Sequence, residues 1–341
     1  MKTAVIILNW NGRDMLRRFL PSVLAHSPAE EGIEVCVADN GSTDDSLSIL
    51  TAEFPAVKRI ALDRNYGFAE GYNQALRQVE AEYVVLLNSD VEVTPHWLTP
   101  LVEWLDSHPE TAACQPKIRS YHQRGMFEYA GAAGGFIDRY GYPFCRGRLF
   151  DAVEPDDGQY DTVASLFWAT GAALLIRRAD YLDSGGLDGS FFAHNEEIDL
   201  CWRLRARGRG IVCVPQSVVY HVGGATLRKE NPRKTFLNFR NNLLMLYKNL
   251  PADELRRVMR IRCLLDYVAA AVFLLKGDAR NALSVLRARR AYHRMRPSLT
   301  ATRELNLSKT ITNPIPERAK ISLLWQFYAK RRRSFSRLPR P

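Results

Sequence analysis

Four short apolar, β-branched runs, each followed by a polar loop and then a helical pattern, dominate the first 120 residues of this 341-residue chain. The runs are Ala4 to Leu8, Ile33 to Ala38, Val57 to Leu62 and Tyr83 to Leu87. The intervening helical patterns cover about 14–26, 44–53 and 68–79, and a fourth follows the last run at 97–105. Strands that are apolar throughout, joined by helical crossovers, predict a mostly parallel sheet covered on both faces. Such sheets bind ligands beyond the carboxyl ends of their strands. Each run here ends in polar sequence: Asn9-Trp10-Asn11-Gly12, Asp39-Asn40-Gly41-Ser42, Asp63-Arg64-Asn65-Tyr66-Gly67 and Asn88-Ser89-Asp90. Any one of these loops could simply cap a turn or a helix start. Four of them converge by topology, which predicts a site.

Beyond residue 120 the pattern breaks into Gly- and aromatic-rich sequence, expected as short strands and loops. A core strand is expected at 172–176, a helix from His194 to near Gly208, and short strands at 211–214 and 218–220. Three helices are expected at about 233–249, 252–275 and 278–294. The chain divides on this reading into an α/β part, 1–230, and a basic helical extension, 231–341.

Charge follows the same division. Residues 226–341 carry 27 Lys and Arg against 7 Asp and Glu, whereas residues 1–225 carry 20 against 30. An acidic body with a basic tail is not a surface uniformly suited to nucleic acid, and a partner of another kind is expected. An apolar content of 46% excludes disorder as the dominant state. Six cysteines without a C-x-x-C pair suit a reducing compartment. The N-terminus lacks the pattern of a signal peptide, and no apolar stretch reaches the roughly 18 residues of a membrane span. A cytoplasmic location is expected, with peripheral contact to a membrane.

The motifs V-I-I-L-N-W-N-G, A-D-N-G-S-T-D-D-S, R-N-Y-G-F-A-E-G-Y-N and V-V-L-L-N-S-D-V-E-V, in this order and spacing, resemble the nucleotide-sugar half of family-two glycosyltransferases of the GT-A fold. The resemblance continues through A-T-G-A-A-L-L-I-R-R, G-G-L-D-G-S-F-F-A-H-N-E-E-I-D-L-C-W-R and Y-H-V-G-G-A-T, over about residues 3–245, and points to the rhamnosyltransferase-like branch. It implies a GT-A domain over 1–230 (nucleotide-sugar binding in 1–120, acceptor binding in 121–230) with a C-terminal helical extension, and an inverting, metal-dependent transfer from a nucleoside-diphosphate sugar to a lipid-linked or polysaccharide hydroxyl; the Q-x-x-R-W signature of processive synthases is absent, so a non-processive transfer is expected. It implies that Asn9, Asn11 and Asp39 meet the nucleotide base, that Asn65 and Gly67 lie near the ribose and diphosphate, and that Asn88-Ser89-Asp90 stands in the family's D-x-D position. Asp90 is then the ligand of a divalent cation, Mg²⁺ or Mn²⁺, with His221 completing the metal site. The sequence departs from the family at Asn88, which lacks the first carboxylate. Glu197, aligned on Asp199-Leu200, takes the general-base position. Glu196 faces the acceptor or complements the helix N-terminus. Arg203 either approaches the acceptor or diphosphate or pairs with Asp199 at i,i+4.

The tail leaves two readings open. Cys263 to Leu275 is either a buried packing helix, or an interfacial or oligomer-forming one whose surrounding arginines face anionic lipid; a polyprenyl-diphosphate acceptor would suit either basic surface. Two rival classes frame the assignment. A sugar nucleotidyltransferase would carry a Gly-rich, Arg-containing loop after the first strand, which Asn9-Trp10-Asn11-Gly12 is not. A nucleic-acid or anionic-surface binder on a degenerate scaffold would show steep salt dependence without acting on nucleotide sugars.

Overall fold

The computed structural model describes residues 2–223 and 231–339. The four apolar runs form β1 (Thr3–Asn9), β2 (Ile33–Asn40), β3 (Lys58–Leu62) and β4 (Tyr83–Asn88). They alternate with α1 (Arg13–Ala25), α2 (Ser46–Glu53) and α3 (Gly67–Leu76). Then come β5 (Val91–Val93), α4 (Thr99–Ser107) and β6 (Thr111–Ser120). A hairpin layer of β7 (Gly135–Asp138), β8 (Pro143–Cys145), β9 (Arg148–Leu149) and β10 (Ala152–Val153) precedes β11 (Ala164–Ser165), β12 (Ala173–Arg177) and α5 (Arg178–Asp183). The site helix α6 (Glu196–Ala206) leads into β13 (Gly210–His221). The C-terminal part contains α7 (Pro232–Asn249), α8 (Ala252–Leu275), α9 (Ala279–Met295), α10 (Thr300–Ser308) and β14 (Arg318–Ala319).

The main sheet runs β11-β13-β6-β12-β4-β1-β2-β3, with β5 on β13. Alternate residues of its central strands feed separate cores. Ala4, Ile6, Val84 and Leu86 enter one, and Val5, Ile7, Val85 and Leu87 the other. Burial on both faces is the reason these strands read as continuous apolar runs. The β3-β2-β1-β4 half is parallel. The other half is mixed: β12 lies antiparallel between β4 and β6, and β13 runs parallel to β6. The strands expected at 211–214 and 218–220 are one strand, whose register slips between Val214 and Val218 opposite Pro116. Proline offers no N–H to the ladder, so the slip falls where pairing is already broken.

Sequence reading gave no strand at 111–120. The reason is local: β6 buries Gln115 and Lys117 and carries Pro116, so neither an alternating nor a continuous apolar pattern marks it. Lys117 is tolerated there because Asp156 and Asp161 pair with it. The C-terminal part joins the same core, with Leu243, Met245, Leu323 and Phe327 in one cluster with Phe136 and Phe144, and β14 adding to β7. The polar stretch after residue 294 contains the helix α10.

Candidate active site

The polar loops gather at the carboxyl edge of the β2-β1-β4 strands. Asn9, at the end of β1, is fully buried and donates to Asp39 Oδ1 at 3.0 Å and to Ser42 Oγ at 3.3 Å. Ser42 N donates to the other Asp39 oxygen at 2.9 Å. Asn11 holds the same loop from the far side, accepting from Thr43 N at 2.7 Å while its own N–H donates to Ser42 Oγ. Asn9 Oδ1 is buried without a partner and lies where a Cβ on Gly12 would sit, 2.4 Å away, with Ser89 Oγ close behind. A side chain at position 12 would displace the Asn9 amide, and the β4 loop lies close by through Ser89.

Asn65 caps α3, its Oδ1 accepting from Gly67 N at 2.8 Å. Asn40, which sequence reading left without a role, braces this turn: it donates to Gly67 O at 3.0 Å and accepts from Tyr66 N at 3.0 Å. Gly67 has φ of +78°, and a Cβ there would meet the Phe192 ring at 2.5 Å. The Phe192 carbonyl in turn accepts from Phe68 N and Ala69 N, so the segment preceding α6 caps the N-terminus of α3.

That segment is strained. Phe192, His194 and Asn195 all have positive φ, between 66° and 72°, a conformation held only where surroundings over-determine it. Asn241 of α7 supplies the restraint. Its Nδ2 donates to the carbonyls of Phe191, Ala193 and His194 at 3.0, 2.8 and 2.7 Å, and Arg240 donates to Ser190 and Phe191. The product is the start of α6, where Glu196 and Glu197 each keep one buried oxygen without a partner. Burial raises the Glu197 carboxyl to about 7. Burial, then the neighbouring Glu197, raises Glu196 well above the ordinary carboxylate range. A side chain on Gly171 would reach Phe68 and the Glu197 Cβ, and the next residue, Ala172, accepts from Asn88 N at 3.0 Å. The Glu197 backbone, the Asn65–Gly67 turn and the Asn88–Asp90 loop are therefore neighbours.

Asp90 and His221 meet across the sheet, Asp90 Oδ1 lying 3.1 Å from His221 Nε2, with Asn88 Nδ2 3.4 Å from the same nitrogen. The far ring nitrogen, Nδ1, faces Glu128 Oε2 at 3.1 Å. Burial alone would lower the imidazole, but Asp90 and then Glu128 outweigh it and raise it to about 10. Glu128 was missed from the sequence because no local pattern marks a carboxylate 93 residues from the histidine it faces. Among the described residues no three metal-type side chains converge. Two do, a carboxylate and an imidazole whose far nitrogen is held by a second carboxylate, the usual support of a ligating histidine. This donor set fits a hard divalent cation that takes its remaining ligands from a diphosphate and water. Gly224 of the Tyr220-to-Thr226 motif lies outside the described residues.

Arg203 does not face these loops. Its Nε donates to Asp199 Oδ2 at 3.1 Å, and its other nitrogens to the carbonyls of Ser184 and Gly186, in the interior. Of its two expected roles, the i,i+4 pair is the one present, and the acceptor contact is corrected. A buried guanidinium with all three arms engaged serves the fold. Glu92 likewise pairs with Arg124 at 2.6 Å.

A sheet with this topology, flanked by helices and with asparagine- and aspartate-lined loops at its carboxyl edge, has the GT-A fold. Residues 4–150 match the family model described as Glycosyl transferase family 2. These residues make the chain similar to family 2 glycosyltransferases, and the similarity to such relatives extends over about two thirds of it. It is 27% identical over 232 residues to the O-antigen biosynthesis protein RfbC of Myxococcus xanthus, covering 67% of this chain but only 18% of that protein. Identity is 26% over 239 residues to the N-acetylglucosaminyl-diphospho-decaprenol L-rhamnosyltransferase of Mycobacterium tuberculosis, covering 64% of this chain and 75% of the relative. In fold it is similar to GalNAc-T7 solved with UDP, GalNAc and Mn²⁺ (TM-score 0.59, 16% identity, 93% of this chain and 59% of the other).

Proposed function

We propose that this chain transfers a deoxyhexose such as rhamnose from a nucleoside-diphosphate donor to a hydroxyl of a polyprenyl-diphosphate-linked or polysaccharide glycan, one or few residues at a time, with inversion. The observation that supports it most is the packing of Phe192, in the segment leading to Glu197, directly on the Asn65–Gly67 turn. The acceptor class is that of the mycobacterial relative, and acceptors of that kind are presented at a membrane surface.

The nucleotide base sits against the Asn9, Asn11 and Asp39 loop, the ribose and diphosphate against Asn65, Gly67, Asn88 and Ser89. Asp90 and His221 would hold Mg²⁺ or Mn²⁺, which when bound supplies positive charge against the diphosphate leaving group. Glu197 accepts the proton as the acceptor oxygen bonds to the anomeric carbon. The bond from that carbon to the diphosphate breaks on the opposite face, and a single displacement inverts the centre. A carboxyl poised near neutrality suits a base for this step, and such assistance contributes about 10²–10⁴-fold. Glu196, buried beside it, lines the acceptor side.

The test is transfer from UDP-, dTDP- and GDP-sugars to polyprenyl-diphosphate N-acetylglucosamine with Mg²⁺ or Mn²⁺, the product anomer read by NMR. A glycoside of opposite configuration to the donor supports the reading. Retention, or transfer of nucleotide instead of sugar, overturns it.

A further inference from the structure

The helical hairpin of α8 and α9 presents one face that the rest of the chain does not cover. The inward face of α8 carries Val258, Arg262, Asp266 and Ala270, spaced four residues apart and buried. The opposite face is apolar in its second half: Leu264, Val268 and Leu275 are 66%, 52% and 87% exposed, with Tyr267 and Leu274 beside them. Leu283, in the first turns of α9, is also exposed, so exposed apolar residues of both helices flank a hairpin turn that itself carries Lys276 and Asp278, with Arg280 just after it.

Away from the tip the same face turns basic. On α8 the exposed Arg257 and Arg260 precede Leu264; on α9 the exposed Arg287, Arg290 and Arg294 follow Leu283 at helical spacing. The acids of the hairpin are mostly engaged elsewhere: Asp266 pairs with Arg262 and Arg289, Glu254 pairs with Arg318, and Asp278 caps α9 through Asn281. Asp253 is the exposed acid that remains.

We infer that this hairpin docks on an anionic membrane surface, its leucines entering the lipid and its arginines meeting the headgroups. An apolar end backed by cations matches the layering of a lipid interface, where acyl chains lie beneath a plane of negative charge. A second copy overlapping along the whole face fits less well, because it brings arginines against arginines or against the leucines. No helix among the described residues is long and apolar enough to cross a membrane, so the contact is interfacial. The hairpin packs on α7, the helix whose Arg240 and Asn241 hold the segment before Glu196. The inference rests on the membrane-presented acceptor proposed above only for its purpose.

The experiment is co-sedimentation of the full chain with sucrose-loaded vesicles of phosphatidylcholine containing 30% phosphatidylglycerol, in parallel with light scattering. Substrate is omitted, so the result is independent of catalysis. Binding is expected at 0.1 M salt and falls at least tenfold on pure phosphatidylcholine. L275E and R287E/R290E are each expected to lose tenfold or more, with unfolding midpoints and Mn²⁺–UDP binding unchanged as controls for folding. Absence of vesicle binding by the wild type, or binding indifferent to both variants, overturns the inference. A dimer that L275E dissociates, without vesicle binding, assigns the face to a second copy instead.

Discussion

Asp90 Oδ1 lies 3.1 Å from His221 Nε2, joining the loop after β4 to the end of β13 across 131 residues of sequence. In the function proposed above this pair is the cation site, with Asn88 standing where the family carries its first carboxylate. Asp90→Ala is expected to abolish the gain in UDP or dTDP affinity that Mn²⁺ confers, at least tenfold, because a hard cation loses its carboxylate. Calorimetry with and without Mn²⁺ measures it. An undiminished Mn²⁺ effect in the variant would remove Asp90 from the site.

Glu197→Gln keeps size and loses the charge that takes the proton. Turnover is expected to fall about 10²-fold or more with donor affinity preserved. Glu196→Gln is the register control. Adjacent residues at a helix start point about 100° apart and cannot address one hydroxyl equally. If Glu196→Gln is the inactive variant and Glu197→Gln is near normal, the base is Glu196.

The pH profile carries a separate expectation. A base works ionised, and burial has raised Glu197 to about 7. Activity should therefore rise with pH through about 7 and fall below it, rather than hold down to the ordinary glutamate range near pH 4–5. An acid limb of kcat/KM below pH 5 would mean that Glu197 is not the titrating base.

Asn241 holds the segment that leads into Glu196 and Glu197. Asn241→Leu removes the donor shared among three carbonyls of a strained loop, a change of about 1–3 kcal/mol. The expected readout is a kcat reduced roughly tenfold with nucleotide affinity retained, since the Asn9 and Asp39 loop is held independently. Equal losses in both would indicate a general folding defect.

Lys248, almost fully buried, donates to Asp188 at 2.6 Å and Asp199 at 2.8 Å, and Asn249 donates to the other Asp199 oxygen. The cluster locks α6 to α7. Lys248→Met leaves two buried carboxylates short of a partner and is expected to destabilise the fold by about 3–5 kcal/mol, read from urea unfolding. A loss below 1 kcal/mol would show that Arg203 and Asn249 suffice.

What the sequence determined by itself is whatever is set over short range. The β1-to-β4 alternation followed from apolar runs and helical periods, α8 was legible to the residue at 252–275, and the loops after each strand announced themselves by their polarity. Tertiary structure decided the rest. Arg203 turned inward because carbonyls of Ser184 and Gly186 lie within its reach. β6 is a strand because partners on both sides accept a segment whose own pattern does not demand one. Glu128 behind His221, Asn40 behind Gly67 and Asn241 behind His194 are brought to their partners from 27 to 93 residues away. A hydrogen bond at that separation leaves no periodic trace in the chain, because it is selected by the packing of the elements rather than by the residues between them.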